Sequence, residues 1–190
     1  MAKRGPYRKG EAKRAEILRA ALEIFADEGY RGTSLRKVAA RCDLSLPGIM
    51  HYFESKEDLL TQVLRVRDEA ERARHPEFDL VEDTLDVMRQ GMRTPGLVEL
   101  FVSMAASAGD PDHPAHDFFP RRYELLRKAA VEHIQKAMDE GAMRADIPAE
   151  RLAVLLLAVA DGIQLQWLAD RSIDMQQPLA DALNLLRPTP

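Results

Sequence analysis

Apolar residues recur at steps of three and four along nearly the whole chain, and no run alternates with the period of two that a half-buried strand requires. Ile17, Ala21, Ile24 and Phe25 share one face of a first helix, which leaves Lys13, Glu16 and Glu23 toward water. Gly29 ends it, as a glycine in the left-handed conformation does. A short second helix starts after Thr33, read as its N-cap, and buries Leu35, Val38 and Ala39. Asp43 and Leu44 form a tight turn. Ser45 caps a short third helix with Pro47 in its first turn, and Ile49 and Phe53 face inward. Ser55 caps a fourth helix, with Asp58 three residues on as an imperfect capping box. This helix is highly charged and runs to about Arg74, and Pro76 ends it.

Beyond it the pattern predicts an amphipathic helix near Leu80–Arg93, a break at Thr94-Pro95-Gly96 and an apolar helix near Leu97–Ser107. The stretch AGDPDHPAHDFFP is a loop. Helices follow over about Arg121–Glu140, closed by Gly141, and over about Ala149–Arg171, opened by Pro148. Pro178 opens a last helix that runs to about Leu186. The fold class is therefore all-α. The fourth helix marks the predicted boundary between residues 1–55 and residues 56–190.

Composition narrows the function classes. With 46% apolar and 31% charged residues among 190, the chain has a globular composition. The longest apolar run, Leu152–Ile163, is short of the roughly 18 to 20 residues of a membrane span and carries Asp161. The basic N-terminus has no apolar stretch behind it, and Cys42 is the only cysteine. A cytoplasmic protein is expected, with no membrane partner. P-loop, GxSxG, HExxH and dinucleotide-loop motifs are absent. Neither an enzyme nor a cofactor is expected.

Charge is divided unevenly. Residues 1–56 hold twelve bases and seven acids, a net of +5, and the remainder carries −9. A basic head on an acidic body suits a DNA-binding module joined to a sensing or assembly domain, whereas chance clustering of solvated charge is the alternative. Two short helices joined by a tight turn and braced by a third form a helix-turn-helix, whose second helix enters the major groove. Here that helix would present Ser45, Leu46, Pro47, Gly48, Met50, His51 and Tyr52.

Over Ile17–Leu60 the sequence resembles the tetracycline-repressor (TetR) family. Phe25, Gly29, Tyr30, Thr33, Ala39, Ser45, Tyr52, Phe53, Ser55, Lys56, Leu59 and Leu60 carry the likeness. The resemblance implies that Thr33, Tyr52 and Lys56 hold phosphates, while Arg36, Ser45, Leu46, Pro47, Met50 and His51 read bases. Lys3, Arg4, Arg8 and Lys9 either reach a neighbouring groove or form a solvated tail. Asp43 stands where the family usually has glycine in the turn, a substitution aspartate tolerates. Pro47 and Met50 also depart from the common pattern, which leaves operator preference open. Cys42, where alanine is usual, reads as a small core residue or a redox sensor.

The resemblance further implies a C-terminal helical ligand-binding and dimerisation domain. Its last two helices would pair with their mates through Leu155, Leu156, Val159, Ile163, Leu179, Leu183 and Leu186, and the protomer core is the other reading. Met88, Met92, Phe101, Met104, Phe118, Tyr123, Gln164 and Trp167 either line an apolar effector cavity or make an ordinary core. His113 and His116 have a spacing that suits a metal, in a loop where solvated polar residues are the default, and no metal is expected. The expected function is a repressor that binds a palindromic operator as a homodimer and is released by a small, largely apolar effector. A constitutive architectural DNA-binding protein is the alternative, and activation in place of repression stays open.

Overall fold

The structure is a computed structural model. It describes residues 5–74 and 79–188, apart from the side chains of residues 5–8 and Arg31. Pro76, Lys3 and Arg4 lie outside the described residues. Helices α1 (Gly5–Gly32), α2 (Leu35–Arg41), α3 (Leu46–Met50), α4 (Lys56–Arg74), α5 (Leu80–Arg93), α6 (Pro95–Ser107), α7 (Phe118–Asp139), α8 (Ala149–Ala169) and α9 (Gln176–Asn184) follow in chain order, with no strand among the described residues. The chain forms two compact units. Residues 1–70 with 95–118 make the first, and residues 71–94 with 119–190 the second. The unit that holds the helix-turn-helix thus also takes in most of α4 and all of α6.

In the first unit α1 is the central element. Its apolar face, Ile17, Ala21 and Phe25, is fully buried. It begins at Gly5, so Arg8 and Lys9 belong to its first turns. Gly29 breaks the helix with φ 69°, a conformation that favours glycine, and one more turn runs to Gly32. Helix α6 packs on α1 at that break. A Cβ on Gly96 would lie 1.9 Å from the Phe25 carbonyl oxygen, so the two backbones meet with no room for any side chain. Pro95 and Gly96 open α6 where the apolar pattern read a break, because a first turn tolerates proline.

The caps of α2 and α3 follow local chemistry. Ser34, not Thr33, caps α2, accepting from the Lys37 N–H. Thr33 is buried and donates its hydroxyl to the Gly29 carbonyl at 3.1 Å, which closes the break in α1. Ser45 caps α3 by accepting from the Gly48 N–H at 3.2 Å, with Pro47 in the first turn. Asp43 takes φ 54° in the turn between them. Ser55 accepts from the Asp58 N–H at 2.9 Å at the start of α4, and Asp58 accepts from Glu54 N–H at 3.1 Å.

The second unit is built on α8, whose buried face carries Leu152, Leu156, Ala160, Ile163 and Trp167, with Met88 of α5, Ile134 of α7 and Leu179 and Leu183 of α9 also in its core. By length and composition alone α8 is apolar enough to cross a bilayer, so the apolar stretch is longer than Leu152–Ile163 suggests. Prolines again sit inside first turns: α7 starts before Pro120 and α9 before Pro178. Tyr123 Oη donates to Asp161 at 2.5 Å. Burial raises the Asp161 carboxyl above its ordinary range, and burial with the Asp161 bond pushes the Tyr123 phenol up.

Two expectations follow. Gly96→Ala is expected to cost about 2–3 kcal/mol, read by denaturant unfolding, because the clash is with backbone and no rotamer relieves it. The native state holds the Asp161 proton more tightly than the unfolded chain does. That contribution is present at low pH and is lost as pH rises through the raised pKa. Asp161→Asn, neutral throughout, should therefore gain stability relative to the parent as pH rises from 4 to 7 in thermal melts. A constant difference would show that Asp161 carries no such linkage.

Candidate nucleic-acid interface

The third helix has five residues and buries Ile49, with Phe53 just beyond it also buried. Everything else on it turns outward. Ser45, Pro47, Met50 and His51 are exposed, and Leu46, Gly48 and Tyr52 are half-buried. Met50 stands 51% exposed, unusual for so large an apolar side chain. The His51 ring sits edge-on to Tyr52, 83° between planes and 5.5 Å between centroids. Arg36 is exposed on α2. The structure thus brings the predicted base-reading residues onto the surface of two adjacent short helices.

The predicted phosphate holders are arranged differently from one another. Thr33 is buried and its hydroxyl is spent on Gly29. Ser34, beside it, is exposed at the N-terminal end of α2. Lys56 donates to the Tyr30 carbonyl at 2.8 Å, with its ammonium 4.3 Å from the Tyr30 ring centroid. An ammonium has three protons, so this contact leaves donors for a phosphate while fixing where they stand. Of the other bases, Lys37 pairs with Glu28 and Arg41 with Glu23. Exposed pairs of this kind contribute about 0–1 kcal/mol. Lys9 is exposed on α1, and Lys3, Arg4 and the Arg8 side chain lie outside the described residues.

Two consecutive bases of α1, of which Lys13 was read as facing water, do structural work. Lys13 donates to the Cys42 carbonyl at 2.7 Å and to Glu16 at 2.8 Å. Arg14 donates to the Tyr52 carbonyl at 2.9 Å and stacks over Phe53, 4.5 Å from its centroid. No periodicity reveals the contacts to Cys42 and Tyr52, which lie 29 and 38 residues away. Cys42 is 1% exposed and burial raises its thiol pKa, so it packs as a small core residue.

The other candidate residues divide between the units. Phe101, Met104 and Phe118 are buried in the first, and Met88, Gln164 and Trp167 in the second, with Met92 and Tyr123 half-buried there. Arg171 stacks 3.8 Å above the Trp167 ring centroid. Asp161, absent from the predicted set, is the acid that Tyr123 bonds. Among the candidate dimer residues Leu155 is 53% exposed, Val159 and Leu186 are half-buried, and Leu156, Ile163, Leu179 and Leu183 are buried within the protomer. Val154 and Leu165, 51% and 58% exposed, lie with Leu155 on the outer side of α8 and were missed, because a helix apolar nearly all round has no periodicity that separates its faces. In the loop before α7, His113 Nδ1 accepts from the Ala115 N–H at 3.1 Å and His116 Nδ1 donates to the Ala108 carbonyl at 2.9 Å. Both rings thus serve the loop's own backbone.

Residues 17–63 match the family model described as bacterial regulatory proteins, tetR family. The chain is 30% identical over 151 residues to the transcriptional repressor AcnR of Corynebacterium diphtheriae, 79% of this chain and 78% of that protein. Two solved structures share the fold at a TM-score of 0.75, each covering 94% of this chain and 100% of its own. One is a TetR transcription regulator from Haloarcula marismortui at 19% identity, and the other a transcriptional regulator from Saccharomonospora viridis in complex with choline at 22%. A reading helix laid out over a buried anchor, together with this likeness along most of the chain, shows that the protein belongs to the tetR family of bacterial regulatory proteins and is a transcriptional regulator with a helix-turn-helix.

Proposed function

We propose that the protein is a cytoplasmic, ligand-responsive repressor that binds a palindromic operator as a homodimer. The observation that carries this reading is the exposed surface Ser45 to Tyr52, held over buried Ile49 and Phe53. Ser34, Tyr52 and Lys56 are positioned to hold backbone phosphates. Arg36, Ser45, Leu46, Pro47, Met50 and His51 read the groove, with Met50 and Leu46 suited to thymine methyl groups. Thr33 takes part through the bond of its hydroxyl to Gly29, not through a phosphate contact.

A two-fold operator needs two reading helices. The outer face of α8, with Val154, Leu155 and Leu165 exposed, is the surface for a second copy, because a soluble protomer gains by covering it. An effector acts in the C-terminal helices, where Met88, Met92, Tyr123, Gln164 and Trp167 are the candidates. Helix α4 carries the signal: residues 56–70 lie in the DNA-binding unit and residues 71–74 in the other. Release requires the effector to favour one state of the dimer by about 1–3 kcal/mol or more.

The test is a gel shift with the intergenic DNA upstream of the protein's own coding sequence. Salt-dependent, sequence-preferring binding is expected, and its absence would sink the operator reading. Binding that persists across a diverse panel of apolar ligands would favour a constitutive architectural role. Lys56→Met should weaken operator and scrambled duplexes alike and lower the salt slope by about one. Arg36→Ala or His51→Ala should change base preference, by about 1–3 kcal/mol per contacted pair. Leu155→Glu should yield monomers in sedimentation with little loss of protomer stability, whereas Leu156→Ala should destabilise the protomer itself by about 2–5 kcal/mol.

A further inference from the structure

Lys13 and Arg14 are consecutive on α1, yet each ends on a different helix of the helix-turn-helix. Lys13 Nζ donates to the carbonyl of Cys42, the C-cap of α2, at 2.7 Å. Arg14 Nη1 donates to the carbonyl of Tyr52, where the turn after α3 closes, at 2.9 Å. The last carbonyls of any helix lack partners within it, and they carry the negative end of its dipole. In α3, with five residues, such groups are a large share of the backbone. A cation on the Tyr52 carbonyl, in the turn just beyond Met50, therefore opposes fraying of the stretch Met50, His51 and Tyr52.

Arg14 also offers a flat face that a lysine lacks. Its planar guanidinium lies over the Phe53 ring, 4.5 Å from the centroid, while donating to the Tyr52 carbonyl. Phe53 is buried, so the plane that Arg14 rests on is fixed by the core. The guanidinium thereby ties the exit of the reading helix to the hydrophobic centre of the unit and to α1 together.

We propose that Arg14 is a positioning residue for DNA reading: it sets the geometry in which the C-terminal half of α3 is presented, and Lys13 sets the entry to the turn. It acts through the backbone of Tyr52 and touches neither base nor phosphate. Its loss should therefore appear as lost discrimination, not as a lost phosphate contact. An unpaid ordering cost falls on the complex that needs α3 in one geometry, while non-specific binding depends on charge alone.

The test uses the full-length protein with Arg14→Met and Arg14→Lys. Hydrogen exchange by mass spectrometry should show protection lost by about tenfold across residues 48–53 in Arg14→Met, with residues 149–169 unchanged. Fluorescence anisotropy over a salt series, with the upstream duplex and a scrambled duplex, should show the specificity ratio falling about tenfold at an unchanged salt slope. Arg14→Lys, which keeps the charge and loses the stack, should recover part of both. Unchanged exchange over residues 48–53 overturns the proposal, as does a salt slope lowered by about 0.9 at an unchanged ratio, the mark of a phosphate contact. Should Arg14→Met unfold the first unit, Arg14→Lys decides: a lower ratio at an unchanged melting temperature supports the proposal, and an unchanged ratio overturns it. The DNA arm rests on the operator reading. If the parent does not select its upstream duplex, that reading fails, and the exchange arm still decides the role of Arg14.

Discussion

The reading helix is too short to hold itself. Five residues close barely one turn, and a helix of that length in water melts because nucleation costs more than the few bonds return. Its conformation is borrowed from Ile49 and Phe53, which are buried completely and contribute about 1.5–3 kcal/mol each. Those two side chains fix which face points outward, and so which residues a DNA groove can meet. Ser45 holds one end through the Gly48 N–H and Arg14 the other through the Tyr52 carbonyl.

Helix α1 supplies most of the rest. Its three cationic contacts have one logic, since Lys13, Arg14 and, in return, Lys56 each place a cation at the carbonyl end of a helix: α2, α3 and the last turn of α1. Each satisfies an orphan acceptor and opposes the local dipole. The break at Gly29 then lets Thr33 tie back to α1 and lets α6 approach until Gly96 meets the Phe25 carbonyl. These contacts join α1, α2, α3 and α6 within the first unit. In α4, by contrast, the charged stretch from Glu69 to Arg74 is mostly exposed, and the chain passes there from one unit to the other.

The residues that were easy to read were those whose role is local. Ser45, Pro47, Asp43, Ile49 and Phe53 each act through bonds or periodicity within a few positions. Between Thr33 and Ser34 the sequence offered two adjacent hydroxyls, and Lys37 three residues after Ser34 gave no capping-box signal to choose between them. Pro95 was read as part of a break, Pro120 as the end of a loop and Pro178 as an opening, yet each lies inside a first turn, where its missing N–H has no partner to lose. On α8 the stripe of leucines is apolar nearly all round. Periodicity therefore could not separate the side turned inward, with Leu156 and Ile163, from the outer one, with Leu155 and Leu165.

By itself the sequence determined the helical class, the helix-turn-helix with its Ser45 cap and inward anchors, the basic head on an acidic body, and the family through the pattern from Ile17 to Leu60. These rest on periodicity, turn chemistry and charge, which act between residues close along the chain. Only the tertiary structure decided that α6 seats on the break in α1, that Asp161 is the acid bonded to Tyr123, and that Lys13, Arg14 and Lys56 spend their charge on helix ends. Those contacts join positions from 26 residues apart, Lys56 and Tyr30, to 71 apart, Gly96 and Phe25. A cation's partner at that distance is set by where the packed helices place their carbonyls, and no local rule of the chain contains that position.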